Sequence, residues 1–261
     1  MITRPAFTDT LHSEWIKFRS LRSTWLTLGG LVVVGLGLPL LSADPAAQGY
    51  LTGTIEEQQD WDPTNGSLLM FFIAQLVIGV LGILVVTSEH ATGLMQTSLS
   101  ATPRRHRLLG AKVAVVAAVS LVAGQALAFP AFLIGQAGFA AAGVPHATLA
   151  DPRALSAVVG CGLYLAVIAL LAVALGALIR ATAGALATLV GIVLLVPVLD
   201  GMFPPWLDGL LDVWPTLGGA AVIATVPDPD YPQPWLHFAG MSAGILALLV
   251  VAFVLFERRD V

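Results

Sequence analysis

Long apolar runs without charged side chains recur along the chain. A helix rises about 1.5 Å per residue, so about 20 residues cross the roughly 30 Å hydrocarbon core of a bilayer. The runs do not alternate between apolar and polar residues, as the strands of a transmembrane barrel do. The pattern therefore predicts an all-α, polytopic membrane protein with six transmembrane helices in a single domain over residues 1–261. The predicted spans are 24–41, 68–87, 113–134, 155–179, 181–199 and 237–256.

The composition indicates the same class of protein. Hydrophobic residues make up 57% of the chain and charged residues only 11%, whereas soluble domains carry about 25% charged residues. A soluble globule of this composition would expose large apolar patches to water, and a disordered chain has far less apolar surface. Composition therefore excludes both of those classes.

The basic residues predict the orientation. All lysines and arginines except Arg153 lie in the N-terminal segment, in the loops after spans two and four, or after span six. Basic residues favour the cytosolic side of a membrane. We therefore expect a multi-pass protein of the plasma membrane with both termini in the cytosol.

Residues 8–23 have the spacing of an amphipathic helix. Five apolar side chains recur at intervals of three and four residues, which places them on one helical face. Tryptophans together with lysines and arginines suit a helix that lies in the headgroup layer. An ordinary basic segment flanking the first span is the alternative. The predicted membrane-facing residues are Leu11, Trp15, Phe18, Leu21 and Trp25.

The basic loop 88–112 carries the signals of a short helix. Thr87 or Ser88 is a candidate N-cap, and Glu89 would then lie in the first turn, where acidic side chains are favoured. We predict a helix from Glu89 to about Ser100, since a residue before a proline such as Pro103 disfavours helix. The alternative is a solvated hairpin whose arginines only determine the topology.

The segment 200–236 is rich in tryptophan and proline and contains the apolar run 217–226. Such a run is too short to cross a bilayer, and the prolines divide the segment into short pieces. We predict two short re-entrant helices on the external side, before the last span. A surface cap without a role in transport is the alternative.

Residues that carry chemistry are scarce. The sequence contains no phosphate-binding G-x-x-x-x-G-K-[ST] motif, no G-x-S-x-G and no H-E-x-x-H, and the histidines lack metal-ligand spacing. We expect no catalytic residue, no metal and no cofactor on this chain, and no nucleic-acid partner. Gln75 and Gln125 are the polar residues within spans that either line a substrate path or hydrogen-bond neighbouring helices.

Three stretches resemble type-2 ATP-binding-cassette transporter permeases of the actinobacterial type, from high-GC Gram-positive bacteria. Residues 11–25 (LHSEWIKFRSLRSTW) are similar to the entry helix of that family. Residues 89–105 (EHATGLMQTSLSATPRR), followed by Lys112, are similar to its cytosolic loop, although Leu94 stands where many members have threonine. Residues 211–217 (LDVWPTL) are similar to its proline-containing segment before the last span.

The resemblance implies that the loop is a coupling helix that docks on a separate ATP-binding subunit. ATP and Mg²⁺ would be bound by that partner, and a second copy of the chain or a related permease would complete the transporter in the lipid membrane. An exporter of a drug, peptide or other amphipathic molecule is the implied function. The implied contacts with the ATPase are Glu89, Gly93, Thr97, Pro103, Arg104 and Arg105.

Two other functions stay open from the residues alone. A self-sufficient secondary transporter would need inverted repeats and ion-binding groups near the membrane midplane, and no clear repeat relates the two halves of the sequence. A non-transporting scaffold or immunity protein would sequester its ligand without ATP hydrolysis.

Overall fold

The computed structural model describes residues 6–91, 93, 105–226 and 228–258, and these ranges contain helices and turns but no β-strand. The all-α prediction is therefore confirmed. The principal helices are α1 Phe7–Ser20, α2 Arg22–Thr52, α3 Ile55–Gln59, α4 Pro63–Leu68, α5 Phe71–Ala91, α6 Arg105–Ala141, α7 Ala154–Ile179, α8 Thr182–Val190, α9 Val196–Val198, α10 Asp208–Leu211 and α11 Pro234–Arg258.

Five helical stretches in the described part of the chain are long and apolar enough to cross a membrane. They confirm the prediction of a polytopic membrane protein. Most are longer than the predicted windows, because a helix continues past the charge-free core into polar flanks. The window 24–41 falls in a helix that runs to Thr52. The stretches are Arg22–Thr52, Pro63–Ala91, Arg105–Ala141, Ala154–Ile179 and Pro234–Arg258.

The predicted span 181–199 differs from the other five. Its apolar helical stretch is Thr182–Val198, which lies at the lower end of the roughly 17–25 residues that cross a bilayer. A π-helical turn, Gly191–Leu195, interrupts it. Arg180, with a φ of 60°, reverses the chain sharply between α7 and α8. The count of six spans therefore stays a prediction.

Helix α7 is the centre of the bundle. It packs against α5, α6 and α11, and small residues allow these close approaches. A methyl group on Gly124 of α6 would lie 2.6 Å from the carbonyl oxygen of Gly162 of α7. Glycine at Gly124 therefore lets two helix backbones touch.

The bundle has two ends that we name by what they carry. The entry end carries α1 and the described borders of the loop 92–104. The cap end carries the segment 199–233, which we call the cap, and the loop 142–153. This definition follows from α5, whose last turn lies beside α1 while its first turns lie beside the cap.

The cap differs from the prediction of two re-entrant helices. It contains Asp200–Met202, Pro205–Leu207, α10 and Gly218–Ile223 as short helical turns. Within the apolar run 217–226, most residues of Gly218–Ile223 are buried, and this turn packs against α7 and α11. The glycines and alanines of this turn make that tight packing possible.

Trp214 and Asp62 make two of the hydrogen-bonded contacts between the cap and the bundle. The indole of Trp214 donates to the carbonyl oxygen of Ile192 in the π-helical turn at 2.8 Å. The carboxylate of Asp62 caps α4 by accepting from the backbone of Asn65, and it also accepts from Thr225 and from the backbone of Val226.

Candidate functional site

Helix α1 turns a polar face toward the bundle. Thr10, Glu14 and Phe18, spaced four residues apart, are its buried residues. Residues four apart share one side of a helix. The side chain of Trp15, predicted to face the membrane, is exposed and stacks on Phe18.

The predicted helix over 8–23 ends too late. Helix α1 stops at Ser20, because Leu21 takes an extended conformation and α2 begins at Arg22. Leu21 and Trp25 therefore do not continue the face of α1. Leu11 is half-buried and contacts the bundle, while Leu21 and Trp25 are exposed. The interfacial position of α1 stays a prediction.

A buried ion pair joins α1 to α6. Lys112 Nζ lies 2.8 Å from Glu14 Oε2, and the two side chains are each only 3% exposed. Lys112 Nζ also donates to Glu89 Oε1 at 2.8 Å and to the carbonyl oxygen of Val85 at 3.1 Å. A lysine ammonium has three donors, so all three are used.

Lys17 completes a cluster of four charges. Its ammonium lies 2.7 Å from Glu14 Oε1 and 3.1 Å from Glu89 Oε1. Partial burial acts to lower the pKa of Lys17, but the hydrogen bonds and charges of Glu14 and Glu89 outweigh burial and raise it. Lys17 is therefore charged at neutral pH. We call Glu14, Lys17, Glu89 and Lys112 the ion cluster; its formal charge is zero.

The ion cluster closes the base of the loop 92–104. Glu89 lies in the last turn of α5 and Lys112 lies near the start of α6, so the cluster holds together the two helices from which the loop emerges. An acidic side chain at a helix C-terminus opposes the helix dipole, and the two lysines offset this cost at Glu89. The ion cluster therefore ties both helices that flank the loop to α1.

The predicted start of a helix at Glu89 is wrong. Helix α5 continues through Glu89 to Ala91. Thr87, a predicted N-cap, is buried and donates to the carbonyl oxygen of Ile83 instead. Gly93 has a φ of 71°, and no atom of the described residues lies within 4 Å of a methyl group placed on it. Arg105 begins α6. The predicted contact residues Thr97, Pro103 and Arg104 lie outside the described residues.

Gln75 and Gln125 both contact neighbouring helices. The hydroxyl of Tyr164 donates to Gln75 Oε1 at 2.7 Å, and Gln75 has no exposed surface. The amide of Gln125 donates to the carbonyl oxygen of Val159 at 3.0 Å. Of the two interpretations of these glutamines, the geometry supports hydrogen bonding between helices.

Sequence reasoning did not assign Glu14, Lys17 or Lys112 to the site. One signal was available: Glu14 lies four residues before Phe18 on the stripe that α1 buries, and Lys17 follows it at the spacing of a helical ion pair. A charge on a buried stripe indicates a partner elsewhere in the fold. The partner itself, 98 residues away, could not be deduced from spacing.

The fold and the ion cluster together define a multi-pass helical membrane protein whose entry helix is fastened to one loop of its bundle. Residues 10–198 match the family described as ABC-2 family transporter protein. The chain therefore belongs to the ABC-2 type permease family and is a membrane transport component of that class. The match extends from α1 through α9. No curated protein matches the chain.

Proposed function

We propose that this chain is the permease subunit of an ATP-driven transporter that exports an amphipathic molecule, such as a drug or peptide. A separate ATP-binding subunit would hydrolyse ATP, and a second copy of the chain or a related permease would complete the assembly. Membership of the ABC-2 family supports this proposal. The ion cluster is the observation that carries it, because it joins the two helices that flank the loop 92–104 to α1.

The ion cluster suggests how a force from the ATPase would be transmitted to the membrane-spanning helices. A force applied by an ATPase to the loop 92–104 would act first on the ends of α5 and α6. Lys112 bonds to α1 through Glu14 and to α5 through Glu89, so the three helices would move as one body. Transport would not need an ion relay within the spans, in keeping with the absence of charged residues from the predicted windows.

The proposed orientation places the entry end in the cytosol and the cap end outside the plasma membrane. We expect the thiol of a Ser98→Cys variant to react with a membrane-impermeant maleimide only after cells are opened. Ala150 is exposed in the loop at the cap end, so the thiol of an Ala150→Cys variant should react in intact cells. The native Cys161 is buried, so the parent chain should stay unlabelled. The opposite labelling pattern would contradict the proposal.

Gly93 offers a test of the coupling role. We expect Gly93→Val to reduce copurification of a P-loop ATPase and drug-stimulated ATP hydrolysis at least about fivefold, because a β-branched residue at a φ of 71° is strained. A changed backbone at this position would redirect the loop away from the ATPase. The measurement is affinity purification of the tagged chain from its native cells, followed by an ATPase assay.

Gly143 is the matched control for Gly93. It has a φ of 73° and open space around it, but it lies at the cap end. Gly143→Val should carry the same local strain and leave ATPase assembly intact. Equal loss in both variants would refute a specific role of the loop. A wild-type chain that copurifies with no P-loop ATPase, or that transports alone on an ion gradient, would overturn the proposed function.

A further inference from the structure

A cavity of about 450 Å³ opens at the cap end of the bundle. This volume lies within the roughly 300–1,000 Å³ of small-molecule sites. The start of α5 forms one wall through Phe72, and the start of α7 contributes Ser156. The cap contributes Leu217 and Tyr231, and the start of α11 contributes Trp235. The site lies far along α5 from the ion cluster, and the coupling mechanism does not use it.

The walls of the cavity are mostly apolar and include several aromatic rings. Phe71, Phe72, Tyr231 and Trp235 all line it. The indole of Trp235 donates to Ser156 Oγ at 3.0 Å, which fixes the orientation of that ring. Aromatic faces carry partial negative charge and attract cations within about 6 Å of the ring centre. Such walls suit a ligand with an apolar body and a positive charge.

One acidic residue, Asp228, lines the cavity, and three further aspartates act on Tyr231, which also lines it. Burial raises the pKa of Tyr231, and the charges of four aspartates raise it further. Of these, Asp228 itself lines the cavity. Carboxylates beside a low-dielectric wall attract cations strongly, because the field is poorly screened there. The four acids are Asp200, Asp212, Asp228 and Asp230.

Among the described residues that line the cavity, Arg153 is the one basic residue. It lies at the start of α7 with a φ of 65°, and its side chain is exposed. His237 makes an edge-to-face contact with Tyr231, with ring centres 5.6 Å apart. Arg153 therefore opposes a cation that binds beside Asp228, whereas the three other aspartates that act on Tyr231 favour such a cation.

A polar group of three side chains marks the inner side of the cavity. Thr216 lines the cavity, and its hydroxyl lies 3.1 Å from Tyr164 Oη and 3.3 Å from Gln75 Oε1. Thr216 has a φ of 69°, an uncommon and costly conformation for a β-branched residue. Backbone strain of this kind persists where surrounding contacts hold it, often at ligand sites.

We propose that this cavity binds a lipophilic cation, with its onium or amine charge facing Asp228 and Tyr231 and its apolar body against Phe72, Leu217 and Trp235. As a binding site, the cavity stands independently of ATP-driven transport. As the site of a transported molecule, it rests on the proposed function and narrows the amphipathic cargo to cations.

Tetraphenylphosphonium and tetraphenylborate are suitable probes, because they have the same shape and opposite charges. We expect the purified chain in phosphatidylcholine nanodiscs to bind tetraphenylphosphonium saturably, after subtraction of binding to empty nanodiscs. Tetraphenylborate should show no saturable component. Asp228→Asn should weaken tetraphenylphosphonium binding at least about threefold, and Arg153→Gln should strengthen it by a similar factor, since each removes one nearby charge. Equilibrium dialysis gives both affinities.

Asp44→Asn is the control, because Asp44 is exposed on α2 and does not line the cavity. Its affinity for tetraphenylphosphonium should equal that of the wild type. Tighter binding by Arg153→Gln cannot result from misfolding. This variant therefore still tests the proposal if Asp228→Asn is unstable. Saturable binding of tetraphenylborate, or unchanged affinity in both charge variants, would overturn the proposal.

The binding assay also separates this inference from the proposed function. It uses the chain alone, so it needs no ATPase. Cation binding by a chain that copurifies with no ATPase would retain the site and overturn only the transport proposal. ATPase copurification with no saturable cation binding would retain the transport proposal and overturn only the cation site.

Discussion

Lys112→Leu is expected to destabilise the folded chain by about 3–5 kcal/mol, because it leaves the buried Glu14 without its ammonium partner. Glu89 would also lose its 2.8 Å contact, and only Lys17 would remain to offset two carboxylates. The measurement is tryptophan fluorescence of the purified chain in mild detergent during titration with a denaturing detergent.

Two comparisons isolate the charge effect in Lys112→Leu. The double variant Glu14→Leu and Lys112→Leu removes one charge of each sign and should recover most of the lost stability, because a buried pair replaced by apolar side chains is often neutral. Glu257→Gln breaks the exposed pair with His106, 2.9 Å apart, and should cost no more than about 1 kcal/mol. A double variant as unstable as Lys112→Leu would show that lost packing, not unbalanced charge, causes the defect.

Gly124→Val is expected to destabilise the chain by about 3 kcal/mol or more, since overpacking against a backbone leaves no flexible neighbour to move. The new side chain would press on the carbonyl oxygen of Gly162 and separate α6 from α7. We expect poor recovery of monodisperse protein, measured by size-exclusion chromatography, and an earlier unfolding midpoint.

Gly244→Val is the matched substitution for Gly124→Val. Gly244 lies within α11, and a methyl group there would meet no atom within 4 Å. Valine and glycine differ by less than about 1 kcal/mol in helix propensity, so this variant should behave like the wild type. A normal yield and midpoint for Gly124→Val would contradict the close contact between α6 and α7.

Hydropathy predicted the spans because the length and apolar composition of each span are properties of its own segment of the sequence. Helix α7 begins one residue before the predicted window 155–179 and ends at the same residue. Both of its ends are set by arginines in the left-handed conformation, Arg153 and Arg180, and those charges also bounded the window. The window 181–199 gave no sign of the π-helical turn, because hydrophobicity does not report a change in helical hydrogen bonding.

The ion cluster was not predictable in the same way. Its members come from α1, α5 and α6. The apolar pattern of α1 alone places Trp15 and Phe18 on one face and takes no account of Glu14. A buried charge is acceptable only with a partner, and the partner of Glu14 depends on how distant helices pack. Glu89 was selected through its loop, but its contacts with two lysines required the fold.

The carboxylate of Asp62 has a consequence for any widening of the cap end. It serves two elements at once, because it caps α4 and also accepts hydrogen bonds from Thr225 and Val226. Swinging the cap outward would leave this charge with the first turn of α4 as its remaining described partner. Outward movement of the cap and fraying of that turn would then be thermodynamically linked. A mutation that weakens the first turn of α4 would therefore also change the free energy of moving the cap outward.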